Sequence, residues 1–213
     1  MQPKYSRNDW LKLHNRAARD YIHSEWSREV LFGVAKKRKK LFALATGHVL
    51  DVGCGYGMNF PYLINATHIT GIDFSSVMLH KAREIIQGMS MPIDLREGDA
   101  EALQFADQSF DTVISSLSTC SFYNPHIALK EMQRVCKPQG KILLLEHGRS
   151  NWNWLGRYQD QHVHQQIEIG GCRWNQEPQE LVKEAGLKIV QSERSLIGIF
   201  HTIVASPEKP LTS

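Results

Sequence analysis

Apolar residues follow a helical spacing at the start of the chain and a strand spacing further on. Over residues 9–44 they recur at steps of three and four, which predicts two helices in front of the core, with Trp26, Val30 and Val34 on one stripe. From residue 48 onward, short apolar and β-branched runs alternate with stretches of helical pattern. This alternation is typical of an α/β fold, in which helices wrap a parallel sheet.

Turn and capping residues mark the elements of this alternating part. Ser75 or Ser76 is expected to cap the helix after the second strand, and Asn124 with Pro125 to open the helix before the fifth. The five predicted strands cover residues 48–52, 68–73, 93–96, 110–114 and 141–145.

The pattern changes after the fifth strand. Residues 148–171 are polar and aromatic and exceed the length of an ordinary connection, so we expect them to cover a site. A helix over 178–185 is expected to end at Gly186. Strands at 187–190 and 197–205 should then form an antiparallel pair.

Composition limits the classes of protein that fit. The 213 residues, 42% of them hydrophobic, suffice for one sizeable core, and 22% charged residues exclude a disordered or fibrous chain. We find no run of about 18 apolar residues and no apolar core of a signal peptide at the start, so a cytoplasmic protein is expected. The four cysteines are widely spaced and form neither a disulfide framework nor a zinc motif.

The charge balance says little about partners. A net charge of +3 is too mild to indicate nucleic acid. The one dense basic run, residues 36–40, is interpreted as a solvated helix face, while a peripheral contact with a membrane remains open. Nothing in the pattern indicates an oligomeric state.

A glycine-rich turn follows the first strand. Gly53, Gly55 and Gly57 would let a ligand approach the backbone at the carboxyl edge of the sheet, and a helical stretch through residues 60–64 is expected after them. Met58 stands where the dinucleotide fingerprint has its third glycine, so the match to an NAD site is partial. The phosphate-binding sequence of P-loop proteins is absent.

Acidic residues follow the second and third strands. Asp73 lies twenty residues beyond Gly53, where an acid can accept both hydroxyls of a ribose. Asp99, with Ala100 and Glu101 behind it, would lie close to an adenine ring if the ribose contacts Asp73. Together these residues indicate an adenosine site without a diphosphate cradle.

Five segments resemble the successive motifs of class I S-adenosylmethionine-dependent methyltransferases. They are VLDVGCGYG at 49–57, GIDFS at 71–75, EGDAE at 97–101, SFDTV at 109–113 and the stretch 129–141. The resemblance implies S-adenosylmethionine as cofactor and a Rossmann-like sheet of seven mostly parallel strands, helices on both faces and an antiparallel last strand.

The same resemblance implies a set of cofactor-binding residues. Asp51 and the turn Gly53, Cys54, Gly55 and Gly57 would lie near the methionine part, Asp73 at the ribose, and Asp99, Ala100 and Glu101 at the adenine. Phe74, Ser75 and Met78 would lie by the adenine pocket, and Ser116 near the sulfonium. Cys54 is interpreted as a small buried filler rather than a nucleophile.

His147 is the candidate general base for a methyl acceptor that must lose a proton. It follows a buried strand and has an ordinary pKa of about 6.5; a histidine that merely fixes the loop is the alternative. Cys120 lacks the preceding proline of cytosine-5 methyltransferases and is interpreted as structural. His162, His164 and Cys172 lack a dependable ligand spacing, so no metal is expected.

Aromatic residues at both ends of the chain predict an apolar substrate site. We expect a small-molecule acceptor to be enclosed by Tyr5, Trp10, Tyr21, Trp152, Trp154 and Tyr158. Glu146-His147 and the run 170–173 also resemble, locally, quinone-ring C-methyltransferases and the methyltransferase-like 7 proteins, which include thiol S-methyltransferases.

The sequence therefore predicts one methyltransferase domain over 1–213, acting on S, O or N of a small, partly apolar molecule. Its parts are a helical lid (1–45), a cofactor half (46–147), a substrate-lid insertion (148–174) and a closing helix with strands (175–206). Alternatives are a quinone-ring C-methyltransferase, a phospholipid N-methyltransferase, an idle S-adenosylmethionine-binding partner protein, and a nicotinamide oxidoreductase.

Overall fold

The fold is a seven-stranded sheet with helices on both faces. The computed structural model describes residues 5–21 and 33–207, the side chains of 17–21 excepted. Its strands are β1 (Gly47–Val52), β2 (Ala66–Asp73), β3 (Ile93–Glu97), β4 (Phe110–Ser116), β5 (Cys136–His147), β6 (Lys188–Ser195) and β7 (Phe200–Ser206). They are ordered β3-β2-β1-β4-β5-β7-β6, and β7 runs antiparallel to both of its neighbours. The predicted fold class, with an antiparallel last strand, is confirmed.

Helices pack on this sheet through the apolar residues of their buried faces. They are α1 (Arg7–Tyr21), α2 (Val34–Phe42), α3 (Ser76–Ile86), α4 (Pro125–Val135), α5 (Asn153–Gly170) and α6 (Pro178–Glu184). The Ser75 side chain caps α3 by accepting from the Met78 amide, and Asn124 caps α4 by accepting from the Ile127 amide. Both capping predictions are confirmed. Trp26 and Val30 of the predicted front stripe lie outside the described residues.

Two segments differ from the sequence prediction. The prediction of a helix through residues 60–64 is wrong, because only one 3-10 turn forms there, at Phe60–Tyr62. Pro61 lies inside that turn, and the chain enters β2 at Ala66, which leaves no room for a full helix. The long connection after β5, where the regular pattern breaks, contains the 18-residue helix α5.

The core is divided by the sheet into two layers. Neighbouring residues of β5 alternate between them: Ile142 and Leu144 pack with α4 and α6, and Leu143 and Leu145 pack with α2 and α3. All four are fully buried, as expected for a strand covered on both faces. Each such side chain contributes about 1.5–3 kcal/mol through burial.

The sheet order fixes where a ligand can bind. The order reverses between β1 and β4, so the loops after β1, β2, β4 and β5 meet beyond the carboxyl ends of the strands. Ligands of open α/β sheets bind in such a crevice. Among residues 5–21 and 33–207, no helix combines the length and the apolar character needed to cross a bilayer.

Candidate active site

A pocket lies at the carboxyl edge of the sheet, under the first turns of α1. Arg7, Trp10 and Leu11 of α1 cover it. Its floor and walls are Gly53, Ile72, Asp73, Phe74, residues 98–101 and residues 121–123. The strand ends of β1, β2 and β4 therefore meet one helix around a single space.

The glycine turn brings the backbone to this pocket. Gly53 has a φ of +70°, and a Cβ on it would lie 2.8 Å from Ser118 Cβ, so the turn packs tightly against the loop after β4. A Cβ on Gly55, where φ is +55°, would meet nothing within 4 Å. The turn thus offers open backbone, and the left-handed conformation explains its glycines.

Asp73 ties the glycine turn to the end of β2. Its Oδ2 accepts from the Gly55 amide and its Oδ1 from the Ser75 amide, both at 2.9 Å. Burial raises the pKa of Asp73 to about 6, although these two hydrogen bonds oppose the shift. The structure thus holds a buried carboxylate, fixed in orientation, in the wall of the pocket.

Asp99 and Glu101 lie at the other end of the pocket and hold α1. Arg7 donates through Nη2 to Asp99 Oδ2 and through Nη1 to Glu101 Oε2, the latter at 3.0 Å. Glu101 also accepts from the Asn124 amide at 2.8 Å. The pocket edge is acidic. Within the described part of the chain, the guanidinium of Arg7 is the one cation of α1 that faces these acids.

A second buried acid lies behind the glycine turn. Asn59 Nδ2 donates to Asp51 Oδ1 and Oδ2 at 3.1 and 2.9 Å, and Arg38 Nη1 donates to Asn59 Oδ1 and Ser116 Oγ. Burial raises the pKa of Asp51 to about 7, against these hydrogen bonds and the charge of Arg38. Asp51, Asn59, Arg38 and Ser116 form one network, which we call the buried-acid network.

Arg38 corrects the interpretation of the basic run as a solvated helix face. It is 2% exposed, whereas Lys36, Lys39 and Lys40 on the same helix are exposed. Val34, Arg38 and Leu41 recur at steps of four and three and share the buried stripe of α2. The burial of Arg38 could have been predicted from its position, because a charged residue there lies on the apolar stripe of the helix.

The arrangement can be compared with known proteins. Residues 50–144 match the family model described as a methyltransferase domain. They contain the glycine turn, Asp73 and Asp99, whose positions around one pocket match the adenosine site that the motifs imply. The matched part of the chain is thus similar to a methyltransferase domain, in agreement with the S-adenosylmethionine-dependent class that the motifs indicate.

Similar methyltransferases come from several sources. The mitochondrial methyltransferase OMS1 of Saccharomyces cerevisiae is 29% identical over 92% of this chain and 46% of its own. The phosphatidylethanolamine N-methyltransferase of Cereibacter sphaeroides is 39% identical over 47% of this chain and 51% of its own. The ubiquinone/menaquinone biosynthesis C-methyltransferase UbiE of Bdellovibrio bacteriovorus is 36% identical over 61% of this chain and 54% of its own. The chain thus spans about half the length of the curated relatives it matches.

Solved structures support the fold. A Thermotoga maritima protein, described as a S-adenosylmethionine-dependent methyltransferase and a candidate histamine N-methyltransferase, superimposes with a TM-score of 0.70. The match covers 93% of this chain and 100% of that one, at 22% identity. This likeness is evidence for the fold alone.

S-adenosylmethionine is the cofactor of this family, and the residues present fit it. The open backbone at Gly55 leaves space for a ligand, and buried carboxylates at Asp51 and Asp73 suit an ammonium group and ribose hydroxyls. Arg38, in the buried-acid network, suits a carboxylate. The residues that line the pocket thus fit a nucleoside, while the roles of Asp51 and Arg38, which are buried behind it, stay predictions.

The remaining predicted cofactor residues lie near this site in different roles. Phe74 and Ala100 line the pocket. Met78 is buried against Tyr56, and Cys54 is buried within the core layer of α2 and α3. Their roles toward the cofactor stay predictions.

His147 lies at the end of β5 among sulfur and carboxyl groups. Its Nε2 is 3.2 Å from Cys172 Sγ, and Cys120 lies beside both. Burial favours the neutral imidazole, but the charge of Cys120, a hydrogen bond to Cys120 and the charge of Glu146 together raise the pKa of His147. Hydrogen bonds from Cys172 and His147 hold the pKa of Cys120 well below its ordinary value. Glu146 is buried next to them, and burial raises its pKa to about 8.

The predicted aromatic enclosure is only partly assembled. Trp10 lines the pocket and donates from Nε1 to the Ser121 carbonyl at 2.7 Å, and Tyr5 lies 6.1 Å from it, centroid to centroid. Trp152, Trp154 and Tyr158 lie on the surface of α5 instead, with 52%, 65% and 47% of their area exposed. The side chain of Tyr21 lies outside the described residues.

Proposed function

We propose that this methyltransferase transfers a methyl group from S-adenosylmethionine to S, O or N of a small, partly apolar acceptor. The observation that carries the proposal is the juxtaposition of the buried-acid network with the glycine turn and Asp73 at one sheet edge. When bound, the cofactor supplies an electrophilic methyl group on a sulfonium.

The contribution of the chain to such a reaction is alignment and exclusion of water. An in-line displacement gains up to about 7–11 kcal/mol from good positioning. Asp73 is already fixed by two backbone amides and Asp51 by Asn59, so the anchors require little reorganisation on binding. Trp10 and Leu11 of α1 cover the pocket with apolar surface.

A base for the acceptor proton lies beyond the fifth strand. His147 is held beside Cys120 and Cys172, and Glu146 fixes the adjoining loop by accepting from the Thr119 amide at 3.3 Å. These groups suit an acceptor that must release a proton, such as a thiol or phenol. We expect His147→Gln to lower kcat and alter its pH profile while binding of S-adenosylhomocysteine is retained.

Methyl transfer from labelled cofactor onto a panel of thiols, phenols and amines tests the proposal. Turnover should appear with at least one class and, at limiting cofactor, fall strongly in Asp73→Asn, which alters the ribose anchor. Cofactor binding with no transfer to any acceptor in the panel would instead favour the idle binding protein.

A membrane lipid or quinone acceptor is the second candidate. Trp152 and Trp154 are exposed neighbours, with ring centroids 6.3 Å apart, and such aromatic side chains prefer the bilayer interface. Two relatives are described as a phosphatidylethanolamine N-methyltransferase and as a C-methyltransferase of ubiquinone/menaquinone biosynthesis. Co-sedimentation with phosphatidylglycerol vesicles that is lost in Trp154→Ser, compared with Ile64→Ser on another exposed site, would favour this candidate.

A further inference from the structure

Three potential metal ligands from distant parts of the chain meet beside the pocket. Cys120 belongs to the 3-10 turn Thr119–Ser121 after β4, His147 ends β5, and Cys172 follows α5. The two Sγ atoms and one imidazole nitrogen all lie within 4.8 Å of one another, and Cys172 Sγ is 3.2 Å from His147 Nε2. We call these residues the thiol–imidazole cluster.

The backbone around the cluster is fixed by contacts that do not use its ligand atoms. The Arg173 amide donates to the Cys120 carbonyl at 3.1 Å, which ties the segment after α5 to the 3-10 turn. The Arg173 guanidinium donates to the carbonyls of Phe122 and Tyr123 at 2.6 and 3.0 Å and stacks over Trp10 at 4.0 Å. The ligand atoms are therefore brought together by a rigid scaffold.

Glu146 supports the same scaffold from the sheet side. Its carboxylate is fully buried and accepts from the Thr119 amide, at 3.3 Å through Oε2, directly before Cys120. Glu146 also precedes His147 on β5, so it joins the loops that carry two of the ligands. Metal sites depend on such supporting contacts, which orient the residues that bind the ion.

We propose that the thiol–imidazole cluster binds a divalent metal ion of the zinc class. Zinc bonds of about 2.3 Å to sulfur and about 2.0–2.1 Å to nitrogen, in a tetrahedron, place ligand atoms roughly 3.5–3.8 Å apart. The observed spacing, within 4.8 Å, reaches this with small side-chain movements. Two thiolates also neutralise a divalent ion, so the buried site would carry no net charge.

Two cysteines and one histidine leave the fourth coordination position open. Closed four-ligand sets are typical of structural zinc, whereas three protein ligands are typical of sites that admit water or a substrate. Ser121 and Phe122, directly after Cys120, line the pocket. The open position would thus lie close to the proposed site of methyl transfer, where the bound ion, in place of His147 as a base, would activate the acceptor; this last step alone rests on the proposed function.

Cobalt titration of the purified full chain tests the site. Co²⁺ should bind one ion per chain with a cobalt–thiolate charge-transfer band and the visible bands of a tetrahedral site, and Zn²⁺ should displace it. Cys172→Ser should weaken binding at least tenfold, while the matched variant Cys136→Ser, at the start of β5, should bind like wild type. A His162→Ala, His164→Ala double variant controls for binding to the two histidines of α5.

A second measurement needs no variant. In the wild-type chain, Zn²⁺ should protect Cys172, the partly exposed thiol of the cluster, from alkylation as measured by mass spectrometry. No thiolate band, or equal alkylation with and without Zn²⁺, would overturn the metal site. Binding of S-adenosylhomocysteine, measured on the same sample, separates this failure from failure of the proposed function.

Discussion

Replacing Asp51 by Asn should remove the pH dependence that this buried acid gives to the free energy of unfolding. Asp51 is fully buried, and its pKa rises from 3.8 to about 7 because burial disfavours the charge. For an acid whose pKa is higher in the folded state, the folded chain holds its proton more tightly. Stability is therefore lost as pH rises from about 4 to about 7 and is not regained above that range.

The expected size follows from this shift. At pH 5 the unfolded-state carboxyl is already mostly ionised, and each further pH unit up to 7 costs the wild type about 1.4 kcal/mol. The amide of Asn mimics the protonated acid and does not titrate. The stability advantage of Asp51→Asn should thus grow by about 2–3 kcal/mol between pH 5 and pH 8.

Urea unfolding of both proteins at pH 5 and pH 8 measures this difference. The comparison cancels other titrating groups, among them His14 and His201, whose pKa burial lowers to about 4 and which act in the opposite direction. S-adenosylhomocysteine should bind the variant at least tenfold more weakly. A stability difference that is the same at both pH values would refute the reasoning.

Four further substitutions test neighbouring contacts. Arg38→Leu should destabilise the chain by about 3–5 kcal/mol, because it leaves buried polar partners unpaired, whereas Lys39→Leu on the exposed face should change the free energy of unfolding by less than about 0.5 kcal/mol; urea unfolding measures both. Asp73→Asn should weaken S-adenosylhomocysteine binding about 10–100-fold in calorimetry, since a hydrogen bond to a charged group contributes about 1.5–3 kcal/mol. The stability of Glu146→Gln relative to the wild type should be greater at pH 9 than at pH 6, because burial raises the pKa of Glu146 to about 8. A difference in thermal midpoint that is the same at both pH values would contradict this.

The sheet was predictable because its signals are local. The residues of β5 alternate between two buried layers, so this strand is a continuous apolar run in the sequence. The helix caps at Ser75 and Asn124 depend only on neighbouring residues. The conformation of the short connection after the glycine turn was not predictable, since apolar Phe60 and Leu63 pack in the core without the helix that their spacing suggests. Chain length between fixed strands, rather than periodicity, decides that segment.

The site was predictable where one motif follows one strand. Asp73 ends β2 and Asp99 lies just after β3, so topology brings them to the same edge. Arg38 and Asn59 were missed because their partner, Asp51, lies on another element. Cys120 was taken as structural for the same reason: its neighbours His147 and Cys172 come from other loops, and no spacing along the chain records their meeting.

Titration calorimetry with S-adenosylhomocysteine and with NAD⁺ shows which of the two ligands the pocket binds. The buried-acid network and Asp73 fit an amino acid joined to a nucleoside, and the glycine turn lacks the third glycine of a dinucleotide site. We expect one S-adenosylhomocysteine to bind per chain, with affinity falling as pH drops below about 7, where Asp51 takes up a proton. Binding of NAD⁺ in its place, or of neither ligand, would contradict the account.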